Sequence, residues 1–263
     1  MNRIDQKFKE LKERKKKAFI AFLTAGDPNL KTTGEMVVSF EKAGVDIIEL
    51  GVPFSDPLAD GPTIQAASQR ALQKGVTLEK ILASVRKIRR KTNIPVALMT
   101  YYNPIFHYGE ERFMSKARAC GVDGLIVPDL PPEEASGFIK AARAQDISTV
   151  FFLAPTTSKN RVPKIVKAST GFIYYVSLTG VTGVRQSLPK DFVGDVKAVQ
   201  NVTDKPVCVG FGVSNARQVK AVGKVADGVI VGSAIIKEIQ KNAGKEDLVR
   251  NVTRFVRSLT RAL

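Results

Sequence analysis

The chain alternates between short apolar segments and segments with helical periodicity, and this alternation constrains its fold more than any other feature. Apolar strands separated by helices indicate a parallel sheet that is covered on its outer side. Eight such units fit a closed (β/α)8 TIM barrel better than an open doubly wound sheet, because no GxGxxG motif opens the first helix. The predicted strands are Phe19–Leu23, Val45–Leu50, Pro95–Met99, Gly124–Val127, Thr149–Leu153, Phe172–Ser177, Pro206–Val209 and Gly228–Val231.

Helical patterns are predicted between the strands and at both ends of the chain. At the start, Ile4, Phe8 and Leu11 recur at helical spacing, so residues 1–17 are predicted to form a basic amphipathic helix that docks on an apolar surface. No low-complexity linker divides the 263 residues, and we predict one α/β barrel domain over residues 1–263 with this helix as an extension. The other predicted helices are Thr33–Ala43, Thr63–Gln73, Leu78–Arg90, Glu111–Ala119, Glu133–Ala144, Arg161–Lys167, Lys190–Val199, Ala216–Val222 and Asp247–Leu259.

The formal charge of +16, from 41 basic and 25 acidic residues, suggests a nucleic-acid partner at first sight. However, the basic residues cluster near the start and in one helix, and no aromatic residues are interleaved with them as base-stacking platforms. We therefore interpret them as solvated helix faces and expect no nucleic-acid partner. No apolar run approaches the roughly 18 residues of a membrane helix. The two cysteines are far apart and form no CxxC pair, so we expect a soluble cytoplasmic protein without disulfides.

Two acidic residues stand out because of where they fall. Glu49 closes an apolar strand, where carboxylates are rare, and Asp60 follows in the loop after that strand. One strand and its loop would thus bring two carboxylates to the same place, as acid–base chemistry requires. The alternatives are a buried glutamate paired with arginine or a backbone amide, and an aspartate that marks a turn or a helix entry before Gly61-Pro62.

Glycine-containing segments follow the last two predicted strands: Gly210-Phe211-Gly212 and Gly232-Ser233. In a barrel of this type, the functional groups lie at the C-terminal ends of the strands. Glycine lets backbone N–H groups approach an anion closely, and a short helix beginning near Ser233 would direct its positive end at that anion. The two segments together predict a phosphate site, with simple turn glycines as the alternative.

The residue types that are scarce narrow the chemistry further. His107 is the only histidine, so a metal site with several histidine ligands and a histidine-based catalytic triad are both disfavoured, and we expect no metal. No lysine falls at the C-terminal end of a predicted strand, which disfavours a Schiff base, and no nicotinamide or flavin fingerprint occurs. We predict a phosphorylated substrate handled by carboxylates without a cofactor. Residues 178–188 are typical of a lid over such a site, with a plain surface loop as the alternative.

Several motifs together resemble those of the tryptophan synthase alpha chain family. The longest is ELGVPFSDPLADGPTIQ, from Glu49 to Gln65, and it is highly specific. The others cover nearly the whole chain: FLTAGDP at 22–28, YYNP at 101–104, VPDLP at 127–131, TGVTG at 179–183, GFG at 210–212 and GSA at 232–234. The resemblance implies a TIM barrel that cleaves indole-3-glycerol phosphate to indole and glyceraldehyde 3-phosphate. This is a retro-aldol lyase step of tryptophan biosynthesis.

The same resemblance implies roles for individual residues. Glu49 is the expected general acid–base, and Asp60 is expected to hold the indole N–H and stabilise positive charge as C3 is protonated. Thr182 in the lid is expected to meet Asp60 on closure. The other implied substrate contacts are Phe22, Tyr101 and Tyr174 in the indole and hydroxyl region, and Gly183, Phe211, Gly212, Gly232 and Ser233 around the phosphate.

The resemblance also implies a partner. Members of this family are expected to form an αββα heterotetramer with a beta chain that carries pyridoxal phosphate and receives the indole, whereas the alpha chain holds no cofactor. Two alternatives remain open at this level. A different phosphate-binding barrel, such as a sugar isomerase, would share the glycine segments but not the motif from Glu49 to Gln65. A non-catalytic module would bind a partner tightly without turnover.

Overall fold

The computed structural model describes residues 2–176, 191–210 and 212–263. Within these ranges the strands form one parallel sheet in the order β5-β4-β3-β2-β1-β9-β8-β7-β6, and the helices lie between them in sequence, so the predicted TIM barrel is confirmed. The nine strands of this described part are β1 Ala18–Thr24, β2 Ile47–Gly51, β3 Val96–Met99, β4 Gly124–Ile126, β5 Ser148–Val150, β6 Phe152–Leu153, β7 Ile173–Val176, β8 Val207–Gly210 and β9 Gly228–Val231.

The barrel closes through its fifth predicted strand. The prediction of one continuous strand over Thr149–Leu153 is wrong, because β5 and β6 are separated at Phe151. β5 pairs with β4 and β6 pairs with β7, so the hydrogen-bond ladder passes from one neighbour to the other at this residue. The carbonyl of Phe151 still accepts the N–H of Tyr174 at 3.1 Å. The two ends of the strand order are therefore consecutive strands joined by one residue, and the sheet returns to itself.

Most helices lie within three residues of their predicted bounds. The helix Tyr102–Tyr108, α5, is an addition to the predicted set. Pro104 is tolerated there because it falls in the first turn, where an N–H has no intrahelical partner. The helix predicted from Glu133 starts only at Ser136, after a turn that follows two prolines. The twelve helices of the described ranges are α1 Arg3–Glu13, α2 Leu30–Lys42, α3 Pro62–Gln73, α4 Leu78–Ile88, α5 Tyr102–Tyr108, α6 Glu110–Cys120, α7 Ser136–Ala144, α8 Val162–Ala168, α9 Phe192–Gln200, α10 Ala216–Gly223, α11 Ser233–Lys241 and α12 Leu248–Thr260.

Helix α1 covers the N-terminal end of the barrel, as its apolar spacing predicts. Ile4, Phe8 and Leu11 are buried in one cluster with residues of the barrel interior, such as Ile20 and Ile47. The helix has a polar N-cap, Asn2, whose side chain accepts a hydrogen bond from the backbone N–H of Ile4 at 2.8 Å. Helix α1 thus fills the N-terminal end of the barrel interior, and the C-terminal end is left for a site.

Side-chain alternation along the strands decides which residues face that interior. Ile20 on β1 and Ile47 on β2 lie in the interior cluster, and side chains two residues apart on a strand point the same way. Phe22 and Glu49 each lie two residues further along, and they occupy paired positions of the two parallel strands. Both side chains therefore point into the barrel near its C-terminal end. No helix of the described residues is long and apolar enough to span a membrane.

Candidate active site

Glu49 is buried at the C-terminal end of β2, between β1 and β3. Only 1% of its surface is exposed, and its Oε2 atom has no hydrogen-bond partner among the residues that the structure describes. The same part of the structure contains no ion pair to this carboxyl. The alternative of a structural glutamate neutralised by arginine is therefore not what the fold provides.

The protonation of Glu49 follows from this burial. Loss of solvation raises the pKa of its carboxyl to about 8, and the nearby charge of Asp60 contributes to the increase. A carboxyl with this pKa carries its proton at neutral pH. Such a group can donate a proton to a substrate and take one back, whereas a solvated glutamate would already be ionised.

Asp60 approaches the same place from the loop after β2. Its carboxylate Oδ2 accepts a hydrogen bond from the hydroxyl of Tyr101 at 3.2 Å, and that hydroxyl accepts the N–H of Ala59 at 2.9 Å. The ring of Phe54 stacks on Tyr101 with centroids 5.0 Å apart. Gly61, and not Asp60, is the N-cap of α3. The side chain of Asp60 is thus bonded to Tyr101 and does not cap the helix.

The two carboxyl groups differ in their readiness to ionise. Burial raises the pKa of Asp60 to about 6, while the hydrogen bond from Tyr101 opposes that increase. Burial and the charge of Asp60 in turn raise the pKa of Tyr101, so its hydroxyl stays protonated and remains a donor. At neutral pH the pair therefore consists of an ionised Asp60 and a protonated Glu49. Two carboxyl groups with separated pKa values are typical of acid–base sites.

Aromatic side chains and glycines shape the space around the pair. A Cβ atom built on Gly51 would lie 2.6 Å from Cζ of Phe22, so only glycine admits this ring. A Cβ atom on Gly210 would lie 2.7 Å from the hydroxyl oxygen of Tyr174, which is buried and whose pKa is raised first by burial and then by the charge of Glu49. Close approach of these rings to backbone gives the site flat, apolar walls.

Three of the predicted phosphate residues, Gly212, Gly232 and Ser233, follow β8 and β9. Gly232 is the N-cap of α11, and the helix that follows starts at Ser233, as predicted. Gly212 has φ +86°, a conformation that favours glycine. In the first turn of α11, Ile235 and Ile236 donate their N–H groups to the carbonyl of Gly232. The N–H groups of Ser233 and Ala234 precede these bonds, at the positive end of the helix dipole. Thr182, Gly183 and Phe211, together with the predicted lid, lie outside the described residues.

The structure adds site residues that the sequence motifs alone do not assign. Thr24 lies two residues beyond Phe22 on β1, and Ser68 lies on α3; both are buried and line a small cavity with Asp60 and Tyr101. The alternation along β1 was the signal available for Thr24. No signal in the sequence pointed to Ser68, because its position depends on how α3 packs against β1. Within the described ranges, no group of His, Cys, Asp or Glu is arranged to hold a metal ion.

Comparison with known proteins agrees with this geometry. The sequence profile of the family described as "Tryptophan synthase alpha chain" matches residues 8–263. The chain belongs to the tryptophan synthase alpha chain family. It is 52% identical over 246 residues to the tryptophan synthase alpha chain of Geotalea daltonii, covering 94% of this chain and 93% of that one. Members of this family cleave indole-3-glycerol phosphate, and this chain is a lyase that catalyses that reaction in tryptophan biosynthesis.

Solved structures of tryptophan synthases share the fold over all or most of the chain. The alpha chain from Legionella pneumophila superposes with a TM-score of 0.92 at 37% identity, covering 100% of this chain and 97% of that one. A structure of the tryptophan synthase a2b2 complex from Pyrococcus furiosus matches with a TM-score of 0.86 at 40% identity, covering 92% and 97%. The family membership also removes the two alternatives, a different phosphate-binding barrel and a non-catalytic module.

Proposed function

We propose that Glu49 is the general acid–base of indole-3-glycerol phosphate cleavage and that Asp60 binds the indole N–H. The observation that carries this proposal is the buried carboxyl of Glu49, whose Oε2 atom has no partner among the described residues and which faces the barrel interior beside an ionisable Asp60. Both groups sit at the C-terminal end of the barrel, where the chemistry of this fold takes place.

The proton balance fits one shuttling carboxyl. Protonated Glu49 donates its proton to C3 of the indole, which places positive charge on the ring and on its N–H. Ionised Asp60 stabilises that charge through a hydrogen bond from the N–H. The carboxylate of Glu49 then removes the hydroxyl proton of the glycerol carbon bonded to C3. The bond between that carbon and C3 breaks, its electrons return to the ring, and indole and an aldehyde result with Glu49 protonated again.

The remaining residues divide between the two ends of the substrate. We assign Phe22, Tyr101 and Tyr174 to the indole and hydroxyl region, because their rings lie beside the carboxyl pair. Gly212, Gly232 and Ser233 are assigned to the phosphate, since α11 begins there. Gly183 and Phe211 complete the phosphate site in this proposal, and Thr182 closes over Asp60. The whole range 1–263 is taken to act as one domain.

A beta chain is the proposed partner, in an αββα tetramer. The support comes from two exposed apolar side chains at the site end of the barrel: Leu58 is 90% exposed and Phe106 is 67% exposed. Both follow strands that deliver site residues, Leu58 after β2 and Phe106 after β3. In this arrangement the alpha chain uses no cofactor, and pyridoxal phosphate belongs to the beta chain that consumes the indole.

The decisive test is Glu49→Gln. The amide has nearly the same volume but cannot shuttle a proton, so we expect turnover of indole-3-glycerol phosphate to fall by about 10²–10⁴. Indole release is measured with and without a beta chain, alongside the thermal midpoint. Glu35→Gln, at an exposed position of α2, is the matched control and should retain full turnover. Near-normal turnover of folded Glu49→Gln would overturn the assignment.

A further inference from the structure

A small cavity lies between the end of β1 and helix α3, directly beside Asp60. Its volume is about 10 Å³. Four polar side chains line it, those of Thr24, Asp60, Ser68 and Tyr101, and the other side chains around it are apolar. A cavity of this size holds about one water molecule when polar groups surround it.

The hydroxyl of Thr24 needs a partner in this place. Thr24 is 1% exposed, and its Oγ1 atom has no hydrogen-bond partner among the described residues. Buried hydroxyl groups are nearly always hydrogen-bonded, because leaving one unpaired is destabilising. Ser68 is likewise buried, at 4% exposure. Two hydroxyl groups and a carboxylate around one cavity give a water molecule the two to four contacts that it requires.

The two elements that carry these hydroxyl groups are held together firmly. Arg70 on α3 binds Asp27 in the loop after β1 through two hydrogen bonds, Nε to Oδ1 at 3.0 Å and Nη2 to Oδ2 at 2.7 Å. Asp27 is 2% exposed, so this is a buried partner rather than a surface one. Ser68 lies two residues before Arg70 on the same helix. The ion pair therefore ties the helix that carries Ser68 to the loop that follows Thr24.

We propose that Thr24 is a positioning residue for the cleavage reaction: with Ser68, it holds one water molecule that donates a hydrogen bond to the carboxylate of Asp60. This bond would keep Asp60 ionised and orient its other oxygen towards the indole N–H. The inference rests on the proposed function of Asp60. The titratable groups that face Asp60 in the described structure are Glu49 from β2, Tyr101 after β3 and Tyr174 from β7.

The test compares two threonines whose buried hydroxyl groups both have no partner in the part of the chain that the structure describes. Thr253 on α12 is the matched control, because its Oγ1 shares this property and it lies away from the cavity. Thr253→Val should leave the pH profile of kcat/KM unchanged. Thr24→Val should move the acid limb of that profile upward by about one pH unit, so that activity is about tenfold lower at pH 5 and nearly unchanged at pH 8. Thr24→Ser, which keeps the hydroxyl, should restore the profile.

Two further measurements do not depend on turnover. The ¹³C carboxyl shift of Asp60 should titrate about one pH unit higher in Thr24→Val than in the parent protein. A high-resolution crystal structure should show an ordered water within hydrogen-bond distance of Thr24 Oγ1 and the Asp60 carboxylate. An unchanged Asp60 titration in Thr24→Val, or a dry cavity, would overturn this inference while leaving the Glu49 chemistry intact. If folded Glu49→Gln instead kept near-normal turnover, the proposed function would be wrong, but the titration of Asp60 in Thr24→Val would still test whether the water site exists.

Discussion

Buried carboxyl groups at the two ends of the barrel have very different hydrogen-bond partners. Asp123, at the N-terminal entry to β4, accepts hydrogen bonds from Arg3 at 2.7 Å, from Arg89 at 2.6 Å and from the N–H of Val96 at 2.8 Å. Glu49, at the C-terminal end of β2, has an oxygen without any partner in the described structure. Both side chains are almost fully buried, so burial alone does not distinguish a structural acid from a reactive one.

The groups that surround Asp123 and Glu49 explain the difference between the two carboxyl groups. Two guanidinium groups and a backbone N–H neutralise Asp123, and Arg3 belongs to α1, the helix that closes the barrel from below. Around Glu49, burial instead favours the protonated form. In this fold the N-terminal end serves stability and the C-terminal end serves chemistry, as the general pattern for TIM barrels predicts. The following predictions test that division.

The largest effect on stability is expected at the N-terminal end. Asp123→Asn removes the charge that two arginines share, and Arg89 has a side chain only 10% exposed. Breaking one partner of a buried ion pair typically costs about 3–5 kcal/mol, so the free energy of unfolding in urea should fall by that amount. Asp146→Asn is the control, because its ion pair with Arg118 lies at the surface: the side chain of Asp146 is 50% exposed and that of Arg118 is 39% exposed. The control should cost under about 1 kcal/mol.

Activity provides the contrast for this variant. Asp123→Asn should retain kcat/KM within a few-fold under conditions where it is folded, because Asp123 lies at the end of the barrel away from Glu49. A loss of activity as large as that of Glu49→Gln, in the folded protein, would show that the two ends are not independent.

The second effect is a stability gain at the site end that depends on pH. The pKa of Glu49 is raised in the folded protein from 4.5 to about 8, so the folded state holds this proton more tightly than the unfolded chain does. The wild-type protein should therefore lose stability as pH rises from about 4.5 to about 8, and Glu49→Gln should not share that loss. At pH 8 the variant should be more stable by an amount on the order of a few kcal/mol.

Urea titrations of both proteins at pH 5, 6.5 and 8 measure this difference. Asp60 is present in both proteins, so its own contribution largely cancels. If the difference in unfolding free energy is the same at all three pH values, Glu49 is not the perturbed acid that its burial indicates.

The smallest effect is the pH profile of the reaction itself. With ionised Asp60 and protonated Glu49 as the active pair, kcat/KM should rise through about pH 6 and fall above about pH 8. These limbs belong to the coupled pair rather than to either residue alone. Asp60→Asn should remove the acid limb from whatever activity remains. A flat profile between pH 5 and 9 would contradict the assigned protonation states.

Much of the site was predictable from the sequence because the signals are local. The strand that contains Glu49, the loop that carries Asp60 and the helix that begins at Ser233 are each recognisable within a short stretch of chain. The eightfold alternation of apolar strands and helices indicated the barrel, since hydrophobic periodicity is a local property. The roles of all the site residues stay predictions, and Thr182, Gly183 and Phe211 also lie outside the described residues.

The tertiary structure alone decided the contacts between residues far apart in the chain. The hydrogen bond from Tyr101 to Asp60, the pairing of Asp123 with Arg3 and Arg89, and the packing of Ile4 into the barrel join distant segments. The break at Phe151 has the same origin, because it marks where a strand exchanges one neighbour for another. Local sequence sets which elements form and where their polar residues fall. The protonation of those residues depends on desolvation and charge, which arise only when the closed barrel brings the elements together.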